Sequence, residues 1–365
     1  MAYTSSSLST AQGCLRKYRY RYMDLYRPAG ESPAMLAGSL VHRGLEAFHQ
    51  GLSYKNALTM MYESTVGWHE FDIQKHGTMI PGDVIDYIGD VSYWESEEGR
   101  INFSKCKAYV AGYYKKYQSE LKDIQDAKTQ WLVEQEFNFK LDTAHGEITI
   151  RGKLDAITVG LKTPVILEHK TTSMSIDSVT GTYFARLPMD IQCTIYREAG
   201  WRLGNGFPAL VYDVVGTSKA SPKQKKKIAK RKSETDEEYA ERKAENQESL
   251  EEFDERIMEY YLEHPEKYIR YEVMCTEDQH NQRLNELTSF VELLEEGKRK
   301  HIPDSSSLLN IRNSSACFGF GGCDYLNVCI GRESLEGSEK LIQIENSHPE
   351  LSSNQETTLQ LEKRK

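Results

Sequence analysis

The sequence predicts an α/β fold, a small mixed β-sheet flanked by helices. Three observations predict it. Apolar or alternating runs of strand length recur at about 131–139, 147–159, 164–171 and 208–217. Amphipathic stretches of helical period precede, interrupt and follow them. Two of the strand-like runs also carry carboxylates where strands ordinarily avoid them, in Gly152–Asp155 (GKLD) and Glu168–Lys170 (EHK).

Taken in order, MLAGSLVHRGLEAFHQG (35–51) has Leu36, Leu40, Leu45 and Phe48 roughly on one side, as a helix requires, with His42 among them. Residues 54–70 and 101–121 read as further helices, separated by a loop around Gly77–Asp90. WLVEQEFNF (131–139) and ITIRGKLDAITV (148–159) alternate as half-buried strands do, and PVILEHKTT (164–172) is an apolar strand that turns charged. Gly160–Thr163 followed by Pro164 supplies a short turn between the last two. PMDIQCTIYREAGWRLG (188–204) is an amphipathic helix that sets Gln192 and Tyr196 four apart on one face. A strand at 208–217 follows, then helices at about 236–263 and 278–299.

The chemistry lies in the charged strand residues. A buried ionised carboxylate is costly unless it is paired or binds metal. Glu168 stands thirteen positions after Asp155, so a hairpin brings the two side by side, with Lys170 on the face of Glu168. Two converging carboxylates hold a divalent cation, and a Lys beside them orients or helps deprotonate the attacking water. That is the arrangement for metal-assisted hydrolysis of a phosphodiester. Simple solvation of charges at strand ends stands beside it as the plain alternative, as a structural role does for His42 and a surface position for Gln192 above a half-buried Tyr196.

His42 in GSLVHRGLE, Asp155 in GKLD, Glu168 and Lys170 in ILEHKTT, and Gln192 with Tyr196 stand in one order. It is the order seen in the RecB-like branch of the PD-(D/E)XK nucleases, which includes RecB and AddB nuclease domains and CRISPR-adaptation nucleases. The chain resembles that branch over about residues 5–332. The resemblance implies a restriction-endonuclease-like core and a metal site of His42, Asp155, Glu168 and the backbone carbonyl of His169. It implies that Lys170 orients the water and stabilises charge on the scissile phosphate, while Gln192 and Tyr196 brace the site or the strand. Mg²⁺ or Mn²⁺ fits oxygen ligands, and Mn²⁺ also accepts an imidazole.

Seven cysteines are present, three of them in CFGFGGCDYLNVC (317–329) and one, Cys14, near the start. Thiols clustered in a reducing compartment suggest metal rather than disulfides. One Cys early and three late is also the arrangement by which some RecB-like nucleases hold a [4Fe–4S] cluster that joins the termini. The resemblance therefore implies Cys14, Cys317, Cys323 and Cys329 as its ligands. The spacing departs from the family's C-x2-C-x5-C, being C-x5-C-x5-C here. Gly321–Gly322 lets the longer interval fold back, and Zn²⁺ on the same four thiolates is the competing reading. Cys106, Cys193 and Cys275 read as ordinary core thiols.

A net charge of −9 argues against nucleic-acid binding by bulk charge, so any such contact must come from clusters. RKYRYRYMDLYR (16–27), which begins with Arg16 and Lys17, alternates cations with Tyr. It suits phosphate contact with base stacking, or equally a helix of buried Tyr with snorkelling Arg. KASPKQKKKIAKRK (219–232) carries eight Lys or Arg, and residues 234–255 carry eleven Asp or Glu. This reads as an insertion, about 219–263, whose basic loop contacts a phosphate backbone or is simply solvated.

The expected organisation is one nuclease domain, 1–335, and a polar disordered tail, 336–365. No apolar run reaches membrane-spanning length. The polar N-terminus, without an apolar core, gives the expectation of a cytoplasmic chain. The expected function is metal-dependent DNA hydrolysis, from ends and on single strands, in recombination, repair or phage DNA processing. With no Walker A motif, a helicase or recombination partner would be another chain. The competing classes are a catalytically silent DNA-binding scaffold and a zinc-binding structural protein.

Overall fold

In a computed structural model the described residues are 2–66, 88–158, 163–204, 206–300, 307–319, 322–348, 351 and 359–361. Most of the expected Gly77–Asp90 loop, and most of the Gly160–Thr163 turn, lie outside them.

The fold is mixed α/β, as predicted. Its strands are β1 (Ala2–Tyr3), β2 (Tyr26–Pro28), β3 (Trp131–Thr143), β4 (Gly146–Thr158), β5 (Val165–Thr172), β6 (Ala209–Gly216), β7 (Tyr268–Glu272), β8 (Leu341–Gln343) and β9 (Leu359–Leu361). The main sheet runs β7-β6-β5-β4-β3-β9, with β1 also on β4. Strands β3, β4 and β5 pair antiparallel, β5 and β6 parallel, and β6 and β7 antiparallel. The parallel pair needs a crossover, which the Ile191–Leu203 helix supplies.

Burial pattern explains the faces. In β3, Phe137, Phe139 and Leu141 are buried while Lys140 and Asp142, on either side of Leu141, are exposed, so one face packs inward. The central β6 is buried on both faces. Tyr212 and Val214 join a core with Phe137, Leu154 and Tyr196, and Val215 joins a second core with Leu40, Phe48 and Tyr113. Helices Ser5–Gly13, Ile191–Leu203 and Glu277–Arg299 contribute to the first core; Pro33–His49, Glu97–Lys116 and Leu250–Glu263 contribute to the second.

Several expected boundaries shift for local reasons. The single helix expected at 101–121 starts earlier and breaks at Tyr117, giving Glu97–Lys116 and Gln118–Gln125. The one expected at 236–263 is two, Asp236–Glu245 and Leu250–Glu263, because Thr235 with Glu238 and Ser249 with Glu252 each form a capping box. Part of the expected disordered tail is structured: β8 pairs with β2, and its Leu341 is buried with Tyr20, Tyr26 and Tyr325. Strand β9 pairs with β3. Tail polarity masked β8, since a single buried residue, Leu341, is enough once a Tyr cluster waits to receive it.

Candidate active site

The site begins where β4 and β5 part. Their ladder holds Ala156 opposite Leu167 and Ile157 opposite Ile166, and one step further Asp155 and Glu168 would face each other. There a side chain replaces the backbone partner: the His169 amide donates to Asp155 Oδ2 at 2.8 Å. Gly152, two residues before Leu154, lets β4 lie against β3, for a Cβ there would sit 2.8 Å from Phe137 Cζ.

Around this gap the predicted residues converge. Lys170 Nζ donates to Glu168 Oε1 at 2.6 Å and to Gln192 Oε1 at 2.9 Å. Gln192 is held by its helix start, whose cap Asp190 accepts from the Gln192 amide at 3.0 Å. Tyr196, one turn on, is buried with its ring edge-on to Phe137. His42 reaches in from the Pro33–His49 helix, its Nδ1 3.7 Å from Asp155 Oδ2. Glu168 is only 3% exposed, and its Oε2 has no hydrogen-bond partner among the described residues.

Electrostatics shows what the pocket lacks. Burial, then the neighbouring Asp155 carboxylate, pushes the Glu168 pKa up to about 7 against the pull of Lys170. Burial also raises Asp155. Burial, then the nearby His169, lowers His42 to about 4, so its imidazole stays neutral and able to donate a lone pair. Lys170 is raised; burial opposes its charge, and the Glu168 pair outweighs burial. Two carboxylates and an unprotonated imidazole in a low-dielectric gap fit a divalent cation, which would satisfy the orphaned Glu168 oxygen.

A second buried cluster lies on the opposite face of β5, and the sequence reading missed it. His169 Nδ1 stands 3.4 Å from Asp213 Oδ2, and the His49 ring stacks on His169 with centroids 5.1 Å apart. The Tyr113 hydroxyl donates to Asp213, whose Oδ2 is also 3.5 Å from Arg270 Nε. Burial works to raise Asp213, but His169, Arg270 and Tyr113 outweigh it and hold its pKa at about 2. The signal was available: Asp213 is a carboxylate inside an apolar strand, ALVYDVVG, just as Asp155 is.

The four clustered cysteines are drawn to one end of the molecule. The Asn313 amide donates to Cys14 Sγ, and its carbonyl accepts from Cys317 Sγ at 3.6 Å. Arg16 donates to Cys329 Sγ at 3.7 Å and to the Asn310 carbonyl. Burial raises the Cys323 thiol against the pull of Lys17. All four are half-buried free thiols, with Arg16 beside Cys329 and Lys17 near Cys323. Arg16 and Lys17 therefore face this Cys segment rather than the Lys170 site. Tyr18, Tyr20, Tyr22 and Tyr26 are buried, so the basic Tyr-rich run follows its packing alternative, with the aromatics inward. Cys106 and Cys193 are buried, as expected of core thiols, whereas Cys275 is half-buried beside Arg283.

A family model described as the PD-(D/E)XK nuclease superfamily matches residues 2–329. No curated protein matches the chain. Among solved structures, one titled "Crystal structure of SSO0001" is similar at 13% identity, covering 60% of this chain and 73% of that one, with a TM-score of 0.26.

Proposed function

The chain belongs to the PD-(D/E)XK nuclease superfamily, and on that premise we propose that it is a divalent-metal-dependent deoxyribonuclease that works on single strands or strand ends. One observation supports the site above all others. Strands β4 and β5 part at Asp155 and Glu168, leaving a buried, unpartnered Glu168 oxygen two residues before Lys170, which bonds Gln192. Asp155, Glu168, neutral His42 and the His169 carbonyl would hold the metal. When bound, Mg²⁺ or Mn²⁺ supplies Lewis-acid stabilisation and an activated water. Lys170, held by Gln192, points its ammonium at the scissile phosphate and steadies the charge that develops there. Tyr196 fills the space behind the Gln192 turn and keeps that helix in place.

The RecB-like subfamily, an exonuclease mode and a role in recombination, repair or phage DNA processing belong to the same reading. So do a single nuclease unit spanning 1–335 with an insertion near 219–263, and a cytoplasmic chain that takes its strand-opening partner from elsewhere. Cys14, Cys317, Cys323 and Cys329 would hold a [4Fe–4S] cluster that ties the two ends of the chain together. Among the described residues no helix is long and apolar enough to cross a membrane.

End-labelled single- and double-stranded DNA, incubated with Mg²⁺, Mn²⁺ or EDTA, tests this. The wild type cleaves only with metal, Lys170→Ala loses cleavage while still binding DNA, and the label position gives polarity. DNA binding without cleavage by the wild type under every metal would replace the enzyme with a silent binding module.

A further inference from the structure

Beside Lys170 lies a cleft of about 320 Å³ that none of the roles above uses. Its walls come from the Ser5–Gly13 helix and from the segment leading into the Ile191–Leu203 helix. Ser9 and Gln12, one turn apart, present exposed polar side chains on the first wall. The other wall carries Arg186 and Met189.

Arg186 lies over the Tyr183 ring, guanidinium carbon 4.9 Å from its centroid, and makes no ion pair among the described residues. Met189 is 81% exposed, the most exposed of the large apolar residues described, and it sits at the cleft mouth between buried Leu187 and Ile191. Asp190 also lines the cleft, but its carboxylate is turned into the helix start, where it accepts from the Gln192 amide. Lys170 is paired with Glu168, so the charge left facing the cleft without an ion pair among the described residues is the Arg186 guanidinium.

We infer that this cleft is a subsite for one unpaired nucleotide next to the scissile phosphate: Arg186 holds its phosphate and Met189 lies against its base, with Ser9 and Gln12 offering hydrogen bonds. Three features carry the inference. The volume lies at the lower end of the range of small-ligand sites and suits a single nucleotide. A planar guanidinium already braced on an aromatic ring is preorganised for a phosphate. An exposed, polarisable thioether suits the face of any base, and it reaches one only if that base is unstacked from a partner strand. This inference rests on the nuclease reading, which it sharpens by making an unpaired residue at the cut a requirement.

The test uses the full-length protein and oligonucleotides of random sequence, each present as a single strand and as a blunt duplex. Arg186→Gln and Met189→Ala are compared with wild type for KM and kcat, and Kd is read separately in the Lys170→Ala background. The expected result for Arg186→Gln on single strands is a KM or Kd about 10-fold higher with kcat nearly unchanged, the loss of one charge-assisted phosphate contact. Met189→Ala weakens binding several-fold on an ordinary strand and has no effect when the nucleotide at the subsite is abasic. Unchanged KM and Kd in both variants would overturn the subsite while leaving the nuclease reading intact. Equal loss on single strands and blunt duplex would overturn the unpaired nucleotide. Wild-type protein that neither binds nor cleaves DNA would overturn the nuclease reading and the subsite with it.

Discussion

Glu168→Gln should stabilise the metal-free protein at alkaline pH while abolishing its metal response. Glu168 has its pKa raised from 4.5 to about 7, chiefly by burial. The folded chain therefore holds a proton that the unfolded chain releases between those two values. Stability falls as pH rises through that window and levels off above it. A shift of that size at ~1.36 kcal/mol per unit corresponds to roughly 3 kcal/mol of folding free energy. Gln mimics the protonated acid and keeps an acceptor for Lys170, so the variant escapes the loss. With an unfolding entropy near 2.1 cal/mol/K per residue, the difference amounts to about 4 °C in Tm. The assay is thermal unfolding in EDTA at pH 5 and pH 8.5, then again with Mg²⁺ or Mn²⁺. The variant and wild type should melt together at pH 5, the variant several degrees higher at pH 8.5, and only the wild type should gain from metal. A variant that is less stable than wild type at both pH values would refute the picture of a carboxylate buried at a cost.

Three further outcomes follow from other parts of the molecule. Lys226, Lys227 and Lys232 are exposed and make no ion pair among the described residues, whereas Lys225 and Lys230 are paired with Glu252 and Asp236; replacing the three free lysines by Ala should flatten the salt dependence of DNA affinity by about 2 in the log–log slope, near 0.7 per lost contact on single strands, and an unchanged slope would leave the loop merely solvated. Cys14→Ser should remove bound iron and its visible absorption from anaerobically purified protein and lower Tm, because Cys14 is the thiol that joins the first helix to the Cys317–Cys329 segment; bound zinc without iron would replace the cluster with a zinc centre. Gly152→Ala drives a methyl group against the buried Phe137 ring and should cost about 1–3 kcal/mol of stability by overpacking, measurable as a lower denaturation midpoint.

Much of this arrangement was legible in the sequence because it rests on local signals. Alternation gave β3 and β4, the apolar run gave β5, and a carboxylate inside a strand marked Asp155 and Glu168. His42, Gln192 and Tyr196 came from their order along the chain; His42 and Gln192 stand at the gap, and Tyr196 packs on Phe137 behind it. What stayed hidden is non-local. β7 is a five-residue stretch, YIRYE, whose strand character comes from pairing with β6. Arg270 on it is partnered by Glu120 on a helix 150 residues away. The ends of the long helices were set by capping boxes that the periodicity alone does not resolve. The alternating Arg and Tyr residues after Cys14 had two equal readings because a Tyr looks the same in sequence whether it stacks on a base or fills a core.

The two faces of β5 pose the sharper question of which one holds the metal. His49, His169 and Asp213 place their ligand atoms within 4.8 Å of one another, closely enough for an ion. We propose the Asp155–Glu168 face instead, on grounds of charge. Asp213 already faces Arg270 and accepts from Tyr113, and its pKa sits at about 2, so its negative charge is satisfied where it stands. A dication added beside the Arg270 guanidinium would meet repulsion in a low-dielectric interior. Both faces hold an unpartnered carboxylate oxygen and a neutral imidazole, but on the other face Asp155 and Glu168 keep raised pKa values despite Lys170, so negative charge there is not yet balanced. The buried cluster instead clamps the His169 ring, and with it the backbone whose amide holds Asp155. Titration with Mn²⁺, followed by its paramagnetic resonance, separates the two. Asp155→Ala should lose the bound ion, and Asp213→Asn should keep it with weaker affinity. Retention in Asp155→Ala with loss in Asp213→Asn would move the metal to the buried face and leave Lys170 without a metal to work beside.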